Sequence, residues 1–334
     1  MEQYDTCFFG QKDGKLIISR LHDEALHTLQ PLFEEVFKHS VSLALLRWKY
    51  AERRGESWVV TDESGQIMMH CGLNFRAVLV GGKTVQVAQL IDLMAPKKIK
   101  GLSRLDSPFT RLMHQILSDL PRPDNTAGIA FGFPSDRAMR LGEHMGVYRE
   151  VDRLMELEFE PLISPGNLLN WRELLHIKAA DENMINKLWA GMAQDFSSFS
   201  IGIRNANYLQ HRYLTHPDKR YTLLIIEKKG FWRNVPIGLA VVGPGDERRE
   251  LLDIVCASEH IQAVIQTTQC WLSKNGGKSL QFLITERFAR RLESFAKHCT
   301  FTQFKIMGNP FSPDTSTACL EKRWWLTGGD TDYR

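Results

Sequence analysis

The sequence predicts an α/β (α+β) protein of two tandem domains, each with a mixed, mostly antiparallel central sheet flanked by helices. The chain has 334 residues, which is room for two ordinary domains. Two series of short segments resemble one another in the same order along it. Near the middle, Pro161, Pro165 and Gly166 interrupt an alternating strand pattern. We therefore predict domains spanning residues 1–162 and 163–334.

Hydrophobic periodicity predicts the elements of each domain in order. The first domain is expected to contain a strand at 15–20, helices at 23–38 and 41–50, strands at 57–62, 67–78 and 84–95, a helix at 107–119, a strand at 127–133, a helix at 135–145 and two closing strands. The second is expected to contain a strand at 174–179, helices at 182–194 and 204–214, strands at 221–228, 235–243 and 249–257, helices near 260–274 and 287–298 around a strand at 279–284, and strands near 301–307 and 319–327. A crossover helix among hairpins predicts mixed sheets.

The repeated segments indicate an internal duplication. Residues 45–50, LLRWKY, match residues 208–213, YLQHRY, and a strand is predicted eight residues after each tyrosine. Downstream, QLIDLM at 89–94 matches ELLDIV at 250–255. The alternative is that any two α/β domains share strand and helix alternation, but the spacing of the leucine, the basic residue and the tyrosine is more specific than that.

Composition restricts the partners and the compartment. Apolar residues make up 43% of the chain, and the net charge of +3 argues against a strongly basic nucleic-acid footprint. We see neither a secretion signal nor an apolar run long enough to span a membrane. The six cysteines form no CxxC pair, and the eleven histidines show no metal-binding spacing. We expect a cytoplasmic protein without a metal that binds neither nucleic acid nor a membrane.

Three stretches of the first domain resemble the GNAT acyltransferase superfamily. They are Asp92-Leu93-Met94-Ala95-Pro96, Phe131-Gly132-Phe133-Pro134, and Leu141-Gly142 with Met145-Gly146. The tandem layout resembles bacterial GNAT proteins and, at greater distance, the Fem-type aminoacyltransferases. The resemblance implies a GNAT-like fold in each domain and acetyl-CoA or another acyl-CoA as co-substrate.

In this superfamily the N-terminus of the crossover helix faces the pyrophosphate of the acyl-CoA. The resemblance therefore implies acyl-CoA contacts in the first domain from Leu93, Met94, Ala95, Lys100, Gly101, Leu102, Ser103, Arg104 and Ser107. Lys100-Gly101 stands in for the usual Arg-Gly, the second glycine of the signature is missing, and Ser107 is expected to cap the helix. A solvated basic loop is the alternative. The second domain has neither glycine nor cation at residues 256–261, so we expect no acyl-CoA there.

Candidate catalytic residues lie on or near the predicted sheet of the first domain. Asp92 and His70 are candidate bases, and Tyr148 is a candidate acid for the leaving thiolate. A structural role is the simpler explanation for Asp92, because Asp253 occupies the matching place in a domain without the acyl-CoA loop. His70 is more often a hydrogen-bonded strand histidine than a base. Asp330, Asp332 and Trp325 are candidates for binding the acceptor, and a solvated terminus is their alternative.

The sequence favours an N-acetyltransferase that transfers an acetyl or other acyl group to the amine of a small molecule or peptide. One alternative is a binding or scaffold protein that kept the fold and lost the co-substrate. Another is Fem-like aminoacyl transfer, against which the near-neutral charge weighs. We expect a monomer that acts as a pseudo-dimer, or a homodimer.

Overall fold

The computed structural model describes residues 7–11, 14–96, 106–120, 128–164, 169–309 and 320–332. The chain divides into two compact units. Unit 1 comprises Met1–Arg76, Gln86–Glu150 and Ile306–Thr317; unit 2 comprises Ala77–Val85, Val151–Lys305 and Ala318–Arg334. Each unit is therefore assembled from three stretches of sequence.

The elements of unit 1 alternate between hairpins and helices. They are β1 (Cys7–Gln11), β2 (Gly14–Leu21), a 3-10 turn (Asp23–Leu29), α1 (Gln30–Phe37), α2 (Leu43–Tyr50), β3 (Gly55–Thr61), β4 (Ile67–Val80), β5 (Lys83–Met94), α3 (Pro108–Ser118), β6 (Ile129–Gly132) and α4 (Asp136–His144). The strands follow one another in chain order from β1 to β6. The first three pairs are antiparallel, whereas β5 and β6 are parallel and α3 lies between them in sequence.

Apolar side chains cover both faces of the unit 1 sheet. One cluster includes Phe109 and Leu112 of α3 with Trp58 of β3 and Leu90 of β5. The other includes residues of α1 and α2, among them Phe33 and Leu46, with Ile91 and Met94 of β5. The sheet of unit 1 is therefore sandwiched between two helical layers, which explains why β5 is buried without interruption from Val87 to Asp92.

Unit 2 contains more elements than unit 1. They are β7 (Arg149–Phe159), β8 (Leu169–Leu174), α5 (Ala179–Asp195), β9 (Ser200–Gly202), α6 (Ala206–Leu209) with a π turn (Gln210–Leu214), β10 (Thr222–Lys228), β11 (Val235–Val242), β12 (Arg248–Cys256), a 3-10 turn (Ser258–His260), α7 (Ile261–Lys274), β13 (Ser279–Thr285), α8 (Glu286–Leu292) with a 3-10 turn (Glu293–Phe295), β14 (His298–Gly308), β15 (Trp324–Trp325) and a 3-10 turn (Gly328–Asp330). The sheet order is β7, β13, β12, β11, β10, β8. Only β12 and β13 are parallel within it, and they are joined through α7.

Two short pairings explain why the units are discontinuous in sequence. The end of β14 pairs with β6 through Met307 and Gly308, which belong to unit 1. The side chain of Asn309 extends this pairing by accepting from Ala130 N at 2.9 Å and donating to Gly128 O at 2.8 Å. In unit 2, the end of β4 pairs with β9 between Val78 and Gly202.

The predicted fold class is confirmed: the sheet is large, mixed and mostly antiparallel, with helices beside it. The strand predicted at 174–179 is wrong, because β8 lies at Leu169–Leu174, where it pairs in full with β10. The strand predicted near 319–327 is reduced to Trp324–Trp325 among the residues described there. The two strands predicted to close the first domain are one, β7. In the described part of the chain, no helix is long and apolar enough to cross a membrane.

Candidate functional site

In unit 1 the two parallel strands separate before β5 ends. They pair from Val87 with Ile129 to Leu90 with Gly132, and the pairing stops there although β5 continues to Met94. Among the described residues, β5 has only β4 and β6 as neighbouring strands. The β6 side of residues 91–94 is therefore a strand edge without a strand partner in the described structure.

Asp92 gives this edge its shape. Its φ of +45° lies in the left-handed region, which residues other than glycine seldom adopt. Side-chain alternation changes there: Leu90 faces the α3 cluster, but beyond Asp92 it is Leu93 that packs on that cluster, while Met94 joins the cluster of α1 and α2. An irregular residue of this kind bends a strand and ends its pairing.

The carboxylate of Asp92 is fully engaged inside the protein. Lys49 Nζ donates to both of its oxygens, at 2.8 and 2.9 Å, and the Tyr50 hydroxyl donates to Oδ2 at 2.6 Å. Burial alone would raise the pKa of Asp92, but Lys49 and the hydrogen bonds lower it. Asp92 is therefore an ionised, paired residue of the sheet.

His70 belongs to the same network. Its Nδ1 lies 2.8 Å from the backbone oxygen of Asp92, which can only accept, so Nδ1 carries the proton. Nε2 then accepts from the Ser57 hydroxyl at 3.0 Å. The ring is completely buried, and burial lowers the pKa of His70 to about 4. The structure thus brings Asp92 and His70 together: the neutral imidazole of His70 contacts the backbone of Asp92, and the side chain of Asp92 pairs with Lys49.

Tyr148 lies elsewhere in unit 1. It packs in the α3 cluster, whereas Tyr50 packs in the cluster of α1 and α2. Its ring covers Gly142 so closely that a Cβ on that glycine would lie 2.0 Å from a ring carbon. Burial raises the pKa of Tyr148. All three predicted catalytic residues are therefore buried, and none is brought to an exposed surface.

The predicted acyl-CoA contacts are only partly described. Lys100, Gly101, Leu102, Ser103 and Arg104 lie outside the described residues. Ser107 caps α3 as expected, since its Oγ accepts from Thr110 N at 3.1 Å, and Pro108 occupies the first turn. Leu93 and Ala95 are half-buried, whereas Met94 is fully buried. At the edge of β5, Leu93 and Ala95 therefore offer side-chain surface to a ligand.

Unit 2 has the corresponding separation, but it is filled. Strands β12 and β13 pair from Arg248 with Ser279 to Leu251 with Phe282 and then part. The C-terminal segment, residues 324–332, enters at this point. Leu326 O accepts from Thr285 N of β13 at 3.1 Å. On the other side, Gly329 lies so close to β12 that a Cβ on it would be 2.8 Å from the Leu252 oxygen.

A buried charge cluster fixes the C-terminal segment. Arg204 donates from Nε to Asp253 at 2.7 Å and from Nη2 to Asp330 at 2.6 Å, and all three side chains are fully buried. Burial alone would lower the pKa of Arg204, but the two carboxylates raise it. Burial and the Asp330 charge raise the pKa of Asp253. The guanidinium of Arg204 therefore forms ion pairs with two carboxylates at the same time.

Of the three predicted acceptor-binding residues, two are buried and one is half-buried. Asp330 and Trp325 are 1% exposed and make internal contacts in unit 2. Trp325 packs edge-on against Phe196, with ring centroids 4.8 Å apart. Asp332 is half-buried at the end of the described residues. The structure gives the first two a role in holding the C-terminal segment.

Each of the two networks contains a hydrogen bond from a tyrosine to an aspartate, but the cation differs between them. Tyr50 donates to Asp92, and Tyr213 donates to Asp253 at 3.0 Å. The cation in unit 1 is Lys49, the neighbour of that tyrosine, whereas in unit 2 it is Arg204 from the residues before α6. The sequence drew attention to the basic residue beside Tyr50 but did not assign it to Asp92, and no pattern in the sequence singled out Arg204.

Comparison with known proteins gives a result at the level of structure. No family model matches the chain, and no curated protein matches its sequence. Solved structures do match. A conserved protein of unknown function from Enterococcus faecalis V583, described as a probable N-acyltransferase, has a TM-score of 0.67 at 11% identity, covering 88% of this chain and 72% of that one. The fold is that of the GNAT-type N-acyltransferases.

Two further structures with the GNAT fold are also similar to this chain. A GCN5-related N-acetyltransferase from Anabaena variabilis has a TM-score of 0.63 at 13% identity, over 88% of this chain and 72% of that chain. N-myristoyltransferase of Saccharomyces cerevisiae with bound myristoyl-CoA has a TM-score of 0.56 at 9% identity, over 94% of this chain and 89% of that chain. At these identities the likeness establishes the GNAT fold and leaves the reaction to be argued from the site.

Proposed function

We propose that this protein is an acyl-CoA-dependent N-acyltransferase whose acyl-CoA binds along the open edge of β5 in unit 1. The observation that carries the proposal is the difference between the units. Beyond Leu90 the edge of β5 has no strand partner among the described residues, whereas the equivalent place beside β12 is filled by the C-terminal segment. One acyl-CoA per chain follows from that difference.

The edge of β5 suits the chemistry of an acyl-CoA. The pantetheine arm carries two amide groups, and an extended amide chain can pair with an unpaired strand edge as a peptide does. The side chains of Leu93 and Ala95 are apolar and half-buried, which suits the thioester and the first atoms of an acyl group. The capped N-terminus of α3 follows residues 97–105 in the sequence, and those residues include four cations that could contact the phosphates.

The reaction would form an amide bond and break a thioester. The neutral acceptor amine attacks the thioester carbonyl, and backbone N–H groups at the β5 edge stabilise the developing oxyanion. The C–S bond then breaks, CoA leaves as the thiolate, and the nitrogen releases one proton to water. Asp92, His70 and Tyr148 are buried, and Leu93 and Ala95 bring no base. We therefore expect the rate to rise with pH as the free acceptor amine loses its proton in solution.

Calorimetric titration of the whole chain with acetyl-CoA and a longer acyl-CoA tests the proposal. We expect one site per chain, and an affinity at least about tenfold lower after Lys100→Glu with Arg104→Glu, since two cations are reversed. Lys187→Glu, on the exposed side of α5, is the matched control for a charge reversal and should leave binding unchanged. Absence of heat at high micromolar ligand, or two equal sites, would refute the proposal.

A binding protein without catalysis is the second candidate. The burial of all three predicted catalytic side chains favours it. It predicts one bound acyl-CoA and no release of CoA thiol when a panel of amines is supplied. Release of the thiol with any one amine would exclude it.

A further inference from the structure

The loop between β10 and β11, residues 229–234, exposes two adjacent aromatic side chains. Phe231 is 92% exposed and Trp232 is 91% exposed, and their rings lie edge to face with centroids 5.1 Å apart. Single exposed apolar side chains are ordinary, but a pair of large aromatic rings at one tip leaves a continuous apolar surface in water.

Cations surround this aromatic pair. Lys228 and Lys229 precede it and Arg233 follows it, and all three are exposed. The nearest acid in the sequence, Glu227, accepts from Arg172 at 3.3 Å and from Asn234 at 3.2 Å. The tip of the loop therefore combines apolar rings with a local excess of positive charge.

The loop has a defined shape. The strands pair as far as Lys228 with Val235, which places Phe231 and Trp232 at its centre. Gly230 lies so close to the oxygen of Arg233 that a Cβ would be 2.3 Å away, so the loop closes on its own backbone. The turn between β3 and β4 closes by a different device, in which Asp62 accepts from Ser64 N at 2.9 Å and Gln66 N at 3.0 Å.

We propose that this loop attaches the protein to the surface of an anionic lipid bilayer. Phe231 and Trp232 enter the region between headgroups and acyl chains, where aromatic rings are favoured, and Lys228, Lys229 and Arg233 contact the anionic headgroups. A lipid surface fits a small protruding tip better than a folded partner, because a stable protein interface needs about 800 Å² from each side.

The attachment would be reversible and sensitive to salt. Each cation close to an anionic bilayer strengthens binding by about fivefold. Three cations and two rings give peripheral binding and not insertion. The expectation of no membrane contact rested on the lack of an apolar run long enough to span a bilayer, and a peripheral loop needs no such run.

Sedimentation of the full chain with lipid vesicles tests the proposal. We expect binding to vesicles of phosphatidylcholine mixed with phosphatidylglycerol, little binding to phosphatidylcholine alone, and release at high salt. Phe231→Ala with Trp232→Ala should weaken binding at least about tenfold. Lys228→Glu with Lys229→Glu should weaken it about twentyfold or more.

Ile163→Ala is the matched control, because Ile163 is 93% exposed but has no flanking cations at 161–164. It should bind vesicles as the unaltered chain does, and all variants should keep the same thermal unfolding midpoint. The proposal is overturned if the unaltered chain stays in the supernatant with the mixed vesicles. It is also overturned if removing the two rings leaves binding unchanged, since the attraction would then be electrostatic alone.

Discussion

Arg204 and Asp330 form a fully buried ion pair at 2.6 Å between residues 126 positions apart in sequence. The pair holds the C-terminal segment against the residues that precede α6. Arg204 also binds Asp253, so one guanidinium contacts two buried carboxylates. The stability of unit 2 should therefore depend on the arginine more than on either acid.

Arg204→Met should lower the free energy of unfolding by about 3–5 kcal/mol, because it leaves two carboxylates buried without their partner. Asp330→Asn should cost less, about 1–3 kcal/mol, because Arg204 keeps Asp253. Arg172→Met is the control: Arg172 also contacts two carboxylates, but its side chain is 42% exposed, and we expect a loss of about 1 kcal/mol or less. Chemical denaturation measures all three, and the reverse order would contradict this account.

Gly329→Ala should destabilise the protein by about 1–3 kcal/mol through overpacking. The added Cβ would lie 2.1 Å from the Tyr213 hydroxyl and 2.8 Å from the Leu252 oxygen. Gly191→Ala, in the middle of α5, meets nothing within 4 Å and should stabilise the protein by about 0.5–1 kcal/mol. Thermal unfolding of the two variants should therefore shift in opposite directions.

His70 should make unit 1 less stable in acid. Burial lowers its pKa to about 4, against about 6.5 in an unfolded chain. The folded state binds fewer protons, so stability is complete above about pH 6.5 and falls by about 3 kcal/mol as the pH approaches 4. His70→Gln should lose this component of the pH dependence. Equal slopes for both proteins in denaturation curves between pH 7 and 4.5 would contradict the assignment.

Asp152 should act in the opposite direction. It is 4% exposed, its Oδ2 lacks a partner among the described residues, and burial raises its pKa to about 6. The folded state therefore binds more protons than the unfolded one, and stability falls as the pH rises through this range. Asp152→Asn should stabilise the protein by about 1–3 kcal/mol at pH 7 and have little effect at pH 4. A loss of stability at pH 7 would show that the charge is needed.

The sequence predicted most elements because their apolar spacing is long and regular. Strands β10, β11 and β12 and helix α7 lie close to the predicted ranges. The C-terminal segment was predicted as one long strand near 319–327, but among its described residues only Trp324 and Trp325 form a strand, because their partner β9 has only three residues. Strand β8 was misplaced for a related reason: Leu174 marks its end, and only its pairing with Leu223 of β10 reveals this.

The sequence identified residues of the candidate site, but it did not identify the side chains that contact them. Matched segments placed Asp92 and Asp253 at equivalent positions, and the structure gives each the same bond from a tyrosine. Their cations come from different elements, so matching one segment with the other could not find Arg204. The alternation within 89–94 also gave no sign that Asp92 would adopt a positive φ, which residues other than glycine seldom do.

The exchange of short stretches between the units has a consequence for biosynthesis. Unit 1 includes Ile306–Thr317, whose first residues pair with β6. A ribosome that has made only the first half of the chain has not yet supplied that strand. Unit 1 therefore cannot complete its sheet until residues 306–308 have emerged, and contacts this distant in sequence slow folding. During translation, this edge of β6 would remain unpaired and open to incorrect pairing with other strands.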